Sequence, residues 1–151
     1  MITNYYELDG DGFWLPENWR RMDLYTKKNG KFVPRNGIYG CKWAGSLGDI
    51  EIIKNHRMHP SLSKDRMAIC IFEVCENYNK KLFICHENGS VLARLDVPVF
   101  DGQMNCVPTF YSIIMPGLGK DAEIKYNNGD DDYMARLTPD FKIVDEKKIR
   151  W

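Results

Sequence analysis

From about Arg66 onward, apolar residues come in short runs and not at helical spacing. Runs of Ile, Val, Phe, Tyr and Cys recur roughly every eight to twelve residues between turn formers, which predicts antiparallel strands in a sandwich or barrel. Residues 67–75 are apolar at nearly every position. A strand with one wet face alternates, so this one is predicted to be central and covered on both faces. Its Ile71 and Val74 add the β-branching that strands tolerate better than helices. A turn at 77–80 leads into a strand at 81–85, and His86-Glu87-Asn88-Gly89 leads into another at 90–97, giving a three-stranded meander. Beyond Pro98, a strand is predicted at 105–115, then a turn at Pro116-Gly117-Leu118-Gly119. Residues 121–126 alternate strictly, as a half-exposed strand does. Asn127-Asn128-Gly129 is a hairpin signal, because tight turns need left-handed backbone that Asn and Gly accept. The return strand falls at 133–137, and two short strands follow at 141–144 and 148–151. Nearer the start, 38–43 and 49–54 read as strands and 55–64 as loop. Residues 16–25 predict a short helix with Pro16 in its first turn and Asn29-Gly30 beyond its end. The expected fold is therefore mainly β, a β-sandwich or barrel-like set of antiparallel sheets with one short N-terminal helix, in a single globular domain spanning 1–151.

Composition changes this picture little. With 151 residues, 44% of them hydrophobic, the chain can bury one core. Lysine plus arginine equals aspartate plus glutamate at 21 each, so no overall field draws it to nucleic acid or to an anionic membrane. Cys41, Cys70, Cys75, Cys85 and Cys106 lack CxxC spacing, and several sit in apolar runs. They are expected to be reduced and mostly buried. The first dozen residues are acidic and aromatic instead of basic then apolar, and the runs at 67–72 and 110–115 are too short to span a bilayer. A cytoplasmic location is expected.

Candidate chemistry is sparse. His56, His59 and His86, with Cys85, could in principle surround zinc, but Pro60 interrupts the first pair and no second pair matches its spacing. Cys85 and His86 would point to opposite faces of a strand, which separates nucleophile from base. Gly37, Gly40, Gly45 and Gly48 lack a phosphate loop's Lys-Ser/Thr ending. Asp9-Gly10-Asp11-Gly12 resembles the opening of a calcium loop without its later ligands and reads as a turn. No catalytic residue, metal or cofactor is expected, and the chain reads as a binding protein and not an enzyme.

Charge is segregated along the chain. Asp121, Glu123, Asp130, Asp131 and Asp132 are opposed locally only by Lys125, and the hairpin signal places them near one tip, flanked by Tyr126 and Tyr133. Such a patch would steer a basic partner, with the tyrosines at the centre of the contact. In the N-terminal third, Arg20, Arg21, Lys27, Lys28, Lys31 and Arg35 are interleaved with Trp14, Trp19, Tyr25 and Phe32. That mixture suits single-stranded nucleic acid or RNA, but packing of Trp19 in an amphipathic helix accounts for it without a ligand and is the favoured reading.

A small β-rich chain without catalytic spacing, bearing an acidic, tyrosine-flanked hairpin, resembles the immunity proteins that bacteria pair with the toxins of contact-dependent growth inhibition. The resemblance implies a heterodimer with a cognate protein toxin, often a nuclease, whose active site is covered. Asp121, Glu123, Asp130, Asp131 and Asp132 would then imitate a phosphate backbone, with Tyr126 and Tyr133 beside them. The balanced net charge departs from the acidic character of nuclease inhibitors. A nucleic-acid-binding module or a small hydrolase using Cys85 or the histidines are the competing readings.

Overall fold

Residues 67–75 are too apolar for a surface strand, and the computed structural model, which describes residues 1–19 and 37–149, covers both their faces. Among the described residues there are eleven strands and no helix. They are β1 (Thr3–Asp9), β2 (Trp14–Pro16), β3 (Ile38–Gly45), β4 (Gly48–Leu62), β5 (Ala68–Cys75) and β6 (Tyr78–His86), followed by β7 (Val91–Asp96), β8 (Thr109–Ile114), β9 (Ala122–Asn127), β10 (Asp132–Leu137) and β11 (Ile143–Lys148). All pairings are antiparallel, in a seven-stranded sheet ordered β2-β1-β3-β4-β5-β6-β7 and a four-stranded sheet ordered β11-β10-β9-β8.

The expected N-terminal helix is corrected where it can be seen. Pro16 ends β2 opposite Tyr6, and 17–19 form a turn. The rest of that prediction, with the basic and aromatic residues between 20 and 36, lies outside the described residues. Trp19 is buried, and its indole N–H donates to Glu7 Oε1 at 2.7 Å.

Of the expected loop at 55–64, residues 55–62 are strand. β4 pairs with β3 over its first part and with β5 over its last, from Met58 to Leu62. The change of partner happens where the β3 register slips: Gly40 faces Ile53 but Ile38 faces Met58. Bulges of this kind bend a strand and raise its twist. The bend carries β1, β3 and the first half of β4 over one face of β5 and β6, and the four-stranded sheet lies against the other.

Side-chain alternation on β5 then feeds two cores. Ala68, Cys70 and Phe72 join Leu82, Ile84, Phe110, Ile124 and Leu137 beneath the second sheet. Ile69 and Ile71 join Phe83, Cys85, Trp43, Met58 and Ile2 beneath the bent part of the first. Each fully buried Ile or Phe contributes about 1.5–3 kcal/mol. Asp65 ties the two sheets at one end. It accepts hydrogen bonds from the Ser63 hydroxyl at 2.6 Å and from the backbone of Met67 and Leu118 at 3.0 and 3.2 Å. The open edge of β8 is blunted by Asn79, whose amide donates to the Phe110 carbonyl at 3.1 Å.

Candidate partner-binding surface

The β9–β10 hairpin forms where the sequence signal places it, with Tyr126 facing Tyr133 and Asn127 facing Asp132. Its turn is clamped by side-chain amides. Asn127 Oδ1 accepts from the Gly129 N–H at 2.7 Å, and Asn128 Oδ1 accepts from Asp130 and Asp131 at 3.0 Å each. Gly129 takes φ +102°, open to glycine and strained for other residues.

The expected acidic cluster is divided. Ala122 faces Leu137 at the far end of the hairpin, so Asp121 and Glu123 lie roughly 15–20 Å from the tip. Asp121 pairs with Arg136 at 2.9 Å, and Glu123 with Lys125 at 3.8 Å. Only Asp130, Asp131 and Asp132 stand at the tip. There Asp131 pairs with Lys148 at 2.9 Å, holding that ammonium above its ordinary pKa. Asp130 accepts from the Asn105 amide at 2.8 Å, and Asp132 from the Asn127 amide at 2.9 Å. Tyr126 is core, not surface: its ring sits between Phe110 and Tyr133, and its hydroxyl donates to Glu146. Burial, then Glu146, pushes its phenol far above the ordinary value. Tyr133 is half-buried, stacked on Tyr126 at 5.9 Å.

The sequence reading passed over what lies beside the tip. β8 begins at Thr109 and not at 105, which leaves residues 97–108 as a connection without regular structure. Buried Val97 anchors its start, and residues 99–107 are all exposed. The hairpin turn holds this loop. The Phe100 N–H donates to the Asn128 carbonyl at 2.6 Å, and those of Asn105 and Cys106 donate to the Gly129 carbonyl at 2.7 and 2.9 Å. Val99, Phe100, Met104 and Val107 are therefore displayed on a fixed backbone, with half-exposed Tyr111 next to Asp132. Burial, then the hydrogen bond to Asp132, raises the Tyr111 phenol. No lysine or arginine occurs from Leu95 through Gly119 or from Tyr126 through Ala135, whereas Asp101, Asp130, Asp131 and Asp132 do. The result is an apolar surface rimmed by carboxylates. Two signals could have found it: that cation-free stretch, and a twelve-residue connection, a length usually kept for function.

The other candidate residues are dispersed. His56 Nε2 lies 4.0 Å from Glu73, His59 Nδ1 lies 2.8 Å from Asn79 Oδ1, and His86 Nδ1 accepts from the Asn88 N–H. Among the described residues no three His, Cys, Asp or Glu side chains are grouped so as to hold a metal ion. Asp9 Oδ1 closes a turn by accepting from Asp11 and Phe13 at 2.9 Å each. Cys41, Cys70 and Cys85 are buried, Cys75 is half-buried and Cys106 exposed, and none is in a disulfide. No helix among the described residues is long and apolar enough to cross a membrane.

No family model matches the sequence, and no curated protein matches it. The fold does have a solved counterpart: one chain in the structure of Tne2 in complex with Tni2 superposes with a TM-score of 0.69 at 12% identity, over 99% of this chain and 100% of that one. At that identity the likeness is one of fold, an all-β chain of two antiparallel sheets.

Proposed function

We propose that this chain is an immunity protein that binds a cognate protein toxin one to one in the cytoplasm and neutralises it by covering its active site. The observation that carries this reading is the ordered apolar surface of the 97–108 loop, backed by the hairpin tip, where Lys148 is paired with Asp131. Exposed apolar residues gathered on a fixed backbone, with a polar rim, are what a protein interface needs. A standard interface takes about 800 Å² from each partner, roughly a tenth of the 8915 Å² this chain exposes. The fold shared with a chain solved in the Tne2–Tni2 complex supports the same reading. Contact-dependent growth inhibition is the delivery system that the sequence resemblance implies. Asp121 and Asp131 are paired inside the chain with Arg136 and Lys148, which leaves fewer free carboxylates to imitate a phosphate backbone.

The test is purification of the tagged chain from its native host. A stoichiometric protein partner is expected. Phe100→Asp should weaken the complex by more than tenfold at unchanged melting temperature. Reversal of Asp130, Asp131 and Asp132 to lysine should weaken it at least as much, with some loss of stability as their bonds to Asn105, Lys148 and Asn127 go, and Asp121→Asn should leave affinity alone. Recovery of the chain without a partner, or turnover of a substrate by the chain alone, would overturn the reading.

A further inference from the structure

A second interaction surface lies on the opposite core, at the bend of β4. The first half of β4 pairs with β3 on one edge, while β5 reaches only Met58 to Leu62 on the other. The edge from Asp49 to Ile53 therefore has no strand beside it among the described residues. Which peptide groups it presents follows from the ladder. Ala44 turns its carbonyl toward β1, where the Thr3 hydroxyl donates to it at 3.5 Å. Its opposite residue Asp49, and by alternation Glu51 and Ile53, thus direct their N–H and C=O groups away from β3.

The open edge overlooks a cleft of about 340 Å³ floored by Phe83 and Cys85 and walled by Ile50 and Ile52. At one end Ile50 meets Gly89, where an added β-carbon would lie 3.0 Å from its side chain. One cation lines the cleft, and a second, in the adjoining cleft, reaches over its floor. The Arg94 guanidinium lies 4.5 Å from the centre of the Phe83 ring, and Lys54 lines the cleft. Neither is ion-paired with a carboxylate among the described residues; of the two carboxylates that share the next cleft with Arg94, Asp96 pairs with Lys81 at 3.4 Å and Glu73 lies 4.0 Å from His56 Nε2.

We propose that this edge of β4 is a strand-addition site for an extended segment of a protein partner, one that carries apolar side chains toward Phe83 and a carboxylate toward Arg94 and Lys54. Main-chain bonds to Glu51 and Ile53 supply the pairing, and the side-chain cleft and its cations supply selection. The sign of this site is opposite to that of the loop surface, so it holds whether or not the partner there is a toxin.

The test is amide hydrogen exchange on the intact protein, with the end-blocked hexapeptide Val-Thr-Val-Thr-Glu-Thr, whose valines and glutamate share one face of a strand, as probe and its lysine-for-glutamate counterpart as control. In the free protein, the Glu51 and Ile53 amides should exchange at least tenfold faster than those of Ile50 and Ile52. The glutamate peptide at millimolar concentration should slow them at least threefold, the lysine peptide should not, and Arg94→Glu should reverse that preference. Slow exchange in the free protein means the edge is already covered, by this chain or, if it depends on concentration, by a second copy. Either result overturns the proposal, as does equal protection by the two peptides or by neither.

Discussion

The backbone N–H of Asn105 donates to the carbonyl of Gly129 at 2.7 Å, and through that bond the loop after β7 takes its shape from the turn between β9 and β10. Two segments more than twenty residues apart thus form one rigid surface. Rigidity matters because a loop already held in its bound form does not lose conformational entropy on association.

Gly129→Ala tests that dependence. At φ +102° a side chain is strained, and the new β-carbon would lie 3.0 Å from Met104 Cγ. The expected cost is about 1–3 kcal/mol of stability. Partner affinity should fall further than stability predicts, which calorimetry and denaturation on the same variant would show.

The β5–β6 turn offers a gain. Cys75 faces Tyr78, so Glu76 and Asn77 form a two-residue turn with φ +53° and +71°. Glu76→Gly removes the left-handed penalty and loses only an exposed ion pair with Lys80. A stabilisation of about 0.5–1 kcal/mol is expected, read as a higher denaturation midpoint. A lower midpoint would mean the turn is not under strain.

Thiol chemistry should be graded by position. Burial raises the Cys70 thiol to about 12 and the Cys41 thiol still higher, so neither supplies thiolate near neutrality. Cys106 is exposed. A disulfide reagent at pH 8 should modify Cys106 first, Cys75 more slowly, and the three buried cysteines only on unfolding. Rapid loss of more than two thiols would contradict the packing.

Acid should loosen the junction of the two sheets through Asp65. Burial pushes its pKa up, but the bonds from Ser63, Met67 and Leu118, with Lys120 nearby, outweigh that and hold it below the ordinary carboxylate range. A depressed folded value means the stabilisation is present above the unfolded value of about 3.9 and is lost as the pH falls through the folded one. Asp65→Asn should lower stability at pH 7 and flatten its decline below pH 4. Parallel acid curves for the two proteins would remove Asp65 as the cause.

Most strands were legible because their chemistry alternates or, in β5, refuses to. The exceptions have physical causes. β1 went unread because Glu7 and Asp9 point inward, so a face that should look apolar carries carboxylates. Glu7 is tolerated there by the Tyr5 hydroxyl at 3.1 Å and the Trp19 indole at 2.7 Å. The second half of β4 read as loop because the bulge at 54–57 breaks its period and Pro60 interrupts its donors. Pro60 fits because β3 reaches no further than Met58, so among the described residues β4 has a strand neighbour there on one side only. The strand expected at 141–144 begins instead at Ile143 and runs to Lys148, since Phe141 takes φ +64° in the turn before it; of the strand expected at 148–151, 150 and 151 lie outside the described residues.

At the candidate surface the sequence disclosed the hairpin and the sign of its tip. It did not disclose that Asp121 and Glu123 sit at the other end, because strand length sets that distance. Nor did it disclose that Tyr126 is interior, since a tyrosine in an alternating strand can face either way.

A ribbon shared by two interiors has a consequence for how the molecule comes apart. Ile71 and Phe72 are adjacent in β5 yet serve different cores, so peeling away either outer layer strips water-shy surface from the same strand. Neither half can melt and leave its neighbour standing, and heat should dismantle both in one sharp step.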